Sequence, residues 1–140
     1  MLSFLQAIVN FSSITNPGIF FDPLITSGGS VCNTVHELNY SDHNASFYGK
    51  LNNDEYGKAF LHDLQSAGIG FQGVIKEKDL PTGCCNILVS PDGERTMATH
   101  IGIGSQLHPD EVSIENFKNK IDSLKKDKYV VAVSGGPDSL

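Results

Sequence analysis

A repeated alternation of strand-like and helix-like segments restricts the folds open to this chain. Residues 30–40 place Val31, Val35 and Leu38 at spacings of four and three, which predicts a helix with one apolar face. Residues 53–66 predict a second helix. Short apolar segments predict strands around these two helices, at residues 45–48, 70–75, 82–90, 94–101 and 129–133. The alternation favours an α/β fold built on a sheet.

Turn and cap residues set the expected limits of these elements. Asn53 or Asp54 is the predicted N-cap of the second helix, and Gly68 stands where a left-handed C-terminal cap belongs. Gly49 is expected to end the short strand before that helix. Residues 91–93, Pro-Asp-Gly, predict a hairpin because proline presets φ early in the turn and glycine accepts a positive φ late in it.

The two ends of the chain give weaker patterns. Residues 1–26 show no clean period and stay unassigned. A polar, lysine-rich helix is predicted from Asp110 to Lys126, and its lysines are expected to form a solvated face.

Composition excludes several classes of function. The 140 residues are 39% hydrophobic and 19% charged, which is typical of a globular domain. The net charge of −6 disfavours a nucleic-acid-binding surface. Three cysteines without CxxC spacing favour neither a disulfide framework nor a zinc site. The apolar N-terminus has no basic region and is too short to span a membrane, so we expect a cytoplasmic protein.

The segment SGGSVCN, at 27–33, carries the first candidate site. Gly28 and Gly29 would expose bare backbone to a small polyhydroxylated ligand. One helical turn on, the amide of Asn33 offers both a donor and an acceptor to sugar hydroxyls.

The segment from SGGSVCNTVHELNYSDHNASFYGKLNNDEYGKAFLHDLQSAGIGF to PTGCCNILVSPDGERTMATHIGIGSQLHPDEV resembles the N-terminal part of a ribokinase/PfkB carbohydrate kinase. It is most similar to the adenosine-kinase-like branch. The resemblance implies a ribokinase-like α/β/α core with a β-hairpin lid element, here incomplete and truncated. It also implies transfer of phosphate from ATP, with Mg2+, to a hydroxyl of a sugar or nucleoside.

Carried onto this sequence, the resemblance assigns substrate binding to four residues: Gly28, Gly29, Asn33 and Gly49. Asp54 and Gly57 match a D-x-x-G motif of the family, whereas Asp42 stands where the family usually has Gly or Ser. The catalytic Asp of the family lies in a Gly-Ala-Gly-Asp segment that these 140 residues do not contain. We therefore expect no catalytic residue, no metal ligand, poor ATP and Mg2+ binding and no activity from these residues alone.

The tail, KYVVAVSGGPDSL, resembles the PP-loop of tRNA(Ile)-lysidine synthetases, in which the SGGxDS backbone binds ATP phosphates. This resemblance implies nucleotide binding by a set of tail residues: Ser134, Gly135, Gly136, Asp138 and Ser139. It leads us to expect a fused or truncated frame, joined between residues 112 and 128.

Three interpretations follow. The first is a fragment of a sugar or nucleoside kinase, with residues 1–26 unassigned, 27–112 kinase-like, and 113–140 a helix and strand ending in the PP-loop-like SGGPDS. The second is the N-terminal piece of a PP-loop ATPase, and the third a non-enzymatic remnant. The kinase interpretation implies a small-molecule sugar or nucleoside partner, with neither nucleic acid nor membrane. An open sheet edge predicts homodimerisation or aggregation.

Overall fold

The structure of this chain is a computed structural model that describes residues 3–10, 24–77, 79–113, 115 and 129–133. Its described strands and helices follow in the order β1 (Ser3–Asn10), β2 (Leu24–Gly29), α1 (Ser30–Tyr40), β3 (Asn44–Asn52), α2 (Glu55–Ser66), β4 (Gly70–Lys76), β5 (Cys84–Val89), β6 (Arg95–His100) and β7 (Tyr129–Val133). Two short 3-10 turns, Gly102–Gln106 and Pro109–Glu111, follow β6.

The strands form two sheets with different pairing. In the three-stranded sheet, in the order β4-β3-β7, β3 pairs in parallel with both neighbours. In the four-stranded sheet, in the order β2-β1-β5-β6, β1 runs antiparallel to β2 and parallel to β5, and β6 is antiparallel to β5. Because parallel strands require a crossover, α2 connects β3 to β4 in a βαβ unit.

The core lies between β3 and the two helices. Phe47 of β3 meets Phe60 of α2 edge-to-face, with ring centroids 5.3 Å apart, and stacks on Phe71 of β4 at 6.1 Å. Further buried side chains complete this core: Val31, Cys32, Val35, Ala45, Leu51, Leu64 and Ile69. The apolar stripe of α1 and the apolar face of α2 thus cover the same sheet, as an α/β fold requires.

Most of the predicted elements are confirmed. Helix α1 spans the predicted residues, α2 begins after an N-cap at Asp54, and Gly68 has a φ of 74°. The predicted hairpin around Pro91-Asp92-Gly93 is present as β5 and β6, and β7 is the predicted strand near the end of the chain.

Three expectations need correction. Strand β3 does not end at Gly49 but continues through Asn52, because its second half pairs with β4 as far as Lys76. The lysine-rich helix does not begin at Asp110, since Pro109–Glu111 forms a 3-10 turn and Val112 is extended. Residues 114 and 116–126 of that predicted helix lie outside the described residues. Residues 1–26, left unassigned, contain β1 and the start of β2.

Within the described residues, no helix is long and apolar enough to cross a membrane.

The turn between α1 and β3 gives a stability prediction. Asp42 has a φ of 59°, a left-handed conformation that glycine adopts without steric cost. We expect Asp42→Gly to raise the free energy of unfolding by about 0.5–1 kcal/mol, measured by urea denaturation. Ser41→Gly is the control: Ser41 has a φ of −86° and its hydroxyl donates to the Glu37 carbonyl, so this variant should lose stability. Equal changes in the free energy of unfolding for the two variants would contradict the interpretation that Asp42 is strained.

Candidate functional site

The junction between β2 and α1 brings three of the predicted substrate residues together. Gly28 and Gly29 are buried at the end of β2, and Asn33 is exposed one turn into α1. Gly29 has φ 91° and ψ 152°, a conformation open essentially to glycine alone. This glycine allows the chain to pass directly from strand to helix without a connecting loop.

The N-terminus of α1 has no side-chain cap. Gly29 has no side chain with which to cap the helix, and the first turn contains no acidic residue. Helix geometry leaves the first N–H groups without intrahelical acceptors, and the helix dipole favours an oxygen-rich ligand there. The exposed Asn33 amide adds a donor and an acceptor beside this end.

Gly49 lies apart from that junction, in the middle of β3. It is buried and pairs with Gly73 of β4. Helices α1 and α2 both pack against β2 and β3 and lie between the two places. The predicted substrate role of Gly49 therefore stays a prediction.

The D-x-x-G motif forms a hydrogen-bonded node at the end of β3. Asp54 caps α2 with one carboxylate oxygen, which accepts from the Gly57 N–H at 2.7 Å. Its other oxygen accepts from the Thr82 N–H at 2.8 Å. One side chain thus joins the start of α2 to the segment that leads into β5.

Thr82 and Gly57 complete this node. The buried Thr82 hydroxyl accepts from the Asn52 N–H at 3.0 Å, at the last residue of β3. A Cβ on Gly57 would lie 2.0 Å from the Asn52 carbonyl oxygen, so only glycine allows α2 to start this close to the strand. The node holds β3, α2 and the entry to β5 at one place.

The environment of Asp54 stabilises its charged form. Burial raises the pKa of Asp54, but the hydrogen bonds from the N–H groups of Thr82 and Gly57 outweigh it and hold the pKa below its ordinary value. The carboxylate is therefore ionised in the folded protein at neutral pH.

A buried lysine, missed by sequence reasoning, anchors the turn after β6. Lys50 of β3 has 7% of its side chain exposed and lies 2.8 Å from both carboxylate oxygens of Glu111. It also donates to the Gln106 carbonyl at 3.0 Å, and the Tyr48 hydroxyl donates to the Glu111 carbonyl at 2.8 Å. The Lys50 hydrogen bond and the N–H of His108 lower the pKa of Glu111. The only sequence signal was a lysine inside an otherwise buried strand.

Asp63 of α2 forms a hydrogen bond to a distant part of the chain. Its Oδ2 accepts from the Ser27 N–H at 2.8 Å, one residue before the paired glycines. The buried Cys32 thiol lies close by. Burial raises its pKa, a hydrogen bond with Ser27 lowers it, and the Asp63 charge raises it again, so that the net shift is upward.

The described residues contain no group of three or more His, Cys, Asp or Glu side chains that could hold a metal ion. We therefore assign no residue to Mg2+. The PP-loop-like residues Ser134–Ser139 lie outside the described residues, and their predicted nucleotide binding is untested.

Comparison with known proteins adds the family. The model of the pfkB family carbohydrate kinases matches residues 21–136. An ATP-dependent ribose-1-phosphate kinase of Halopiger xanaduensis is 28% identical over 94 residues, which cover 67% of this chain and 32% of that protein. The chain thus spans about a third of the length of this curated relative.

Two solved structures share the fold. The adenosine kinase of Sinorhizobium meliloti superposes with a TM-score of 0.67 and 26% identity, over 81% of this chain and 41% of that one. A fructokinase of Xylella fastidiosa with bound ATP superposes with a TM-score of 0.70 and 15% identity, over 83% and 36% of the two chains. The predicted ribokinase-like α/β fold is confirmed.

The Asp54 node gives a pH-dependent prediction. We expect Asp54→Ala to lower the free energy of unfolding by about 2 kcal/mol at pH 7, because a helix cap and a tertiary hydrogen bond are lost together. The folded pKa lies below the unfolded value near 4. The difference between wild type and variant should therefore be complete above about pH 4–5 and shrink as the pH falls through the folded pKa. Urea denaturation at several pH values measures it.

Glu55→Ala is the control, since Glu55 is exposed in the next position of the same helix. If Asp54→Ala and Glu55→Ala lower the free energy of unfolding by the same small amount, the proposed stabilising role of the Asp54 hydrogen bonds is contradicted.

The buried Lys50 gives a second prediction. Glu111→Ala should cost about 3 kcal/mol because it leaves the ammonium of Lys50 buried and unpaired. Lys76→Ala should cost less than about 0.5 kcal/mol, since Lys76 contacts the same carboxylate at 3.6 Å but is 45% exposed. Adding Lys50→Met to Glu111→Ala should restore at least half of the loss, measured by chemical denaturation. Equal costs for Glu111→Ala and Lys76→Ala would contradict this account.

Proposed function

This chain belongs to the pfkB family of carbohydrate kinases, and we propose that it carries the sugar- or nucleoside-binding part of such an enzyme. The completed reaction transfers a phosphoryl group from ATP to a ribosyl hydroxyl. The observation that carries the proposal is the β2–α1 junction, where Gly28, Gly29 and Asn33 meet at an uncapped helix N-terminus.

The chemistry of this junction suits a neutral polyol. A sugar hydroxyl is both donor and acceptor, so it can accept from the N–H groups of the first turn of α1 and donate to the Asn33 carbonyl oxygen. The backbone at Gly28 and Gly29 carries no side chain that would keep a sugar ring away. We assign substrate binding to these three residues and, by the family motif, to Gly49.

A ribose-bearing substrate is the narrower proposal. Its support is the likeness to the adenosine kinase of Sinorhizobium meliloti, at 26% identity, and to the ribose-1-phosphate kinase of Halopiger xanaduensis. Adenosine and ribose 1-phosphate, the compounds in the two names, both contain a ribosyl unit and differ in the group attached to it. The shared feature is therefore the ribose ring.

We propose no catalytic residue within these 140 residues. Phosphoryl transfer depends on positioning and electrostatic stabilisation of the transferred group. The Gly-Ala-Gly-Asp segment that the family resemblance implies for this role does not occur in the sequence. ATP, when bound, supplies the phosphoryl group, and the side chains described above orient the acceptor. We expect the 140 residues alone to bind substrate without turnover.

The PP-loop interpretation of the tail remains the alternative. The family match continues to residue 136, and β7 pairs in parallel with β3 of the same sheet. These observations favour the kinase interpretation of the segment before the tail. Sequencing the transcript beyond the codon for Leu140 separates the two: an apolar helix after SGGPDS supports the PP-loop ATPase, and a kinase frame with Gly-Ala-Gly-Asp supports the kinase.

We also propose self-association through β6. All six residues of this strand are exposed, Met97 by 64%, and β6 is an edge strand of its sheet in the described part of the chain. Such an edge offers unpaired backbone groups to another copy.

The central prediction concerns binding by Asn33. Isothermal titration calorimetry of the 140-residue chain with adenosine and with ribose should detect binding. Asn33→Ala should raise the dissociation constant about tenfold, because the hydrogen bonds of the Asn33 amide to the ligand are lost. Glu37→Ala, exposed one turn further along α1, should bind as wild type does. With ATP and Mg2+ present, no phosphorylated product is expected.

Two results would contradict this assignment. A wild-type chain that binds neither adenosine nor ribose would refute the substrate-site proposal. Equal losses for Asn33→Ala and Glu37→Ala would remove the role of Asn33.

A further inference from the structure

We infer that Asp63 is the positioning residue of the paired-glycine turn, which it holds through the backbone of Ser27. The inference concerns a contact between α2 and β2 and, for its effect on ligand binding, rests on the function proposed above. Asp63 touches no substrate in this account. It acts through the strand that presents Gly28 and Gly29.

The topology explains why β2 needs such a contact. In the described part of the chain, β2 is one of the two edge strands of its sheet and pairs with β1 along one side. The backbone groups on its other side have no ladder partner there. Ser27 turns its N–H away from β1, and Asp63 Oδ2 accepts that hydrogen at 2.8 Å. A charged acceptor makes this bond stronger than a neutral one.

The Asp63–Ser27 hydrogen bond lies next to the paired glycines, so it restricts the backbone of the turn that they form. Ser27 immediately precedes Gly28 and Gly29, and Gly29 leads directly into α1. Glycines lose more conformational freedom on ordering than other residues, so a glycine pair needs fixed points on both sides. On the far side, α1 is fixed by its buried residues Val31 and Val35. On the near side, β2 is paired with β1 along one edge, and the Asp63–Ser27 bond fixes its other edge.

Ser27 also links Asp63 to the first turn of α1. The charge of Asp63 contributes to the raised pKa of Cys32, the third residue of the helix, which also hydrogen-bonds to Ser27. Asp63, Ser27 and Cys32 therefore form one cluster around the glycine turn. Helix α1 has no acidic residue of its own in its first turn, so α2 supplies the nearby negative charge that a helix N-terminus favours.

The test is amide hydrogen exchange, which needs no ligand. In the wild-type chain, the Ser27 amide should exchange more slowly than an unprotected amide. Asp63→Ala should accelerate exchange at Ser27, Gly28 and Gly29 by at least about fivefold, because one hydrogen bond to a charged acceptor is lost. Asp63→Asn keeps an acceptor oxygen and should stay within about threefold of wild type. His62→Ala, an exposed neighbour on α2, should leave all three amides unchanged.

Titration with ribose and adenosine completes the test. If wild type binds either probe, Asp63→Ala should weaken binding at least about fivefold and Asp63→Asn should restore most of it. An unprotected Ser27 amide in the wild type overturns the inference, even if Asp63→Ala does not fold. Equal binding of the probe by the wild type and by a folded Asp63→Ala variant also overturns it. A wild-type chain that binds neither probe refutes the proposed function instead, and exchange at Ser27 then still decides the role of Asp63.

Discussion

The two oxygens of the Asp54 carboxylate hold together parts of the chain that no continuous element connects. One oxygen starts α2 through the Gly57 N–H, and the other holds the Thr82 N–H at the entry to β5. Strand β3 belongs to the three-stranded sheet and β5 to the four-stranded one, so the node around Asp54 joins the two sheets. The N–H groups of Gly57 and Thr82 stabilise the negative charge of Asp54. Protonation of this carboxylate therefore weakens both hydrogen bonds. The placement of α2, and through Asp63 that of the glycine turn, depends on the node.

Helix α2 connects this structural node to the candidate substrate site. Its first turn is fixed by Asp54, its apolar face is buried through Phe60 and Leu64, and its Asp63 reaches β2. Of the residues proposed to meet the substrate, Asn33 is exposed, whereas Gly28 and Gly29 are buried at the end of β2. The carboxylates of Asp54 and Asp63, which hold the supporting elements in place, belong to half-buried residues. Precise positioning of a ligand requires that the residues that contact it are held by a rigid supporting structure.

Local patterns in the sequence predicted the helices and the hairpin, because their signals lie within a few residues. The spacing of Val31, Val35 and Leu38, the cap at Asp54 and the Pro-Asp-Gly turn each act locally. Strand β1 was missed because its pairing is distant: Leu5 pairs with Cys84. The same reason hid the ion pair of Lys50, whose partner lies 61 residues away, and the bond of Asp63 to Ser27, 36 residues away. For the site, sequence placed Gly28, Gly29 and Asn33 at one junction but not the residues that support it.

The most direct test of the substrate-binding assignment is an amide NMR titration of the 140-residue chain with adenosine. We expect the largest chemical-shift changes at Gly28, Gly29 and the first turn of α1 through Asn33, and smaller changes at Gly49. Amides of β6, at the opposite edge of the sheet that contains β2, should stay unchanged. Saturable shifts confined to β6, or no shifts at any adenosine concentration, would contradict the assignment.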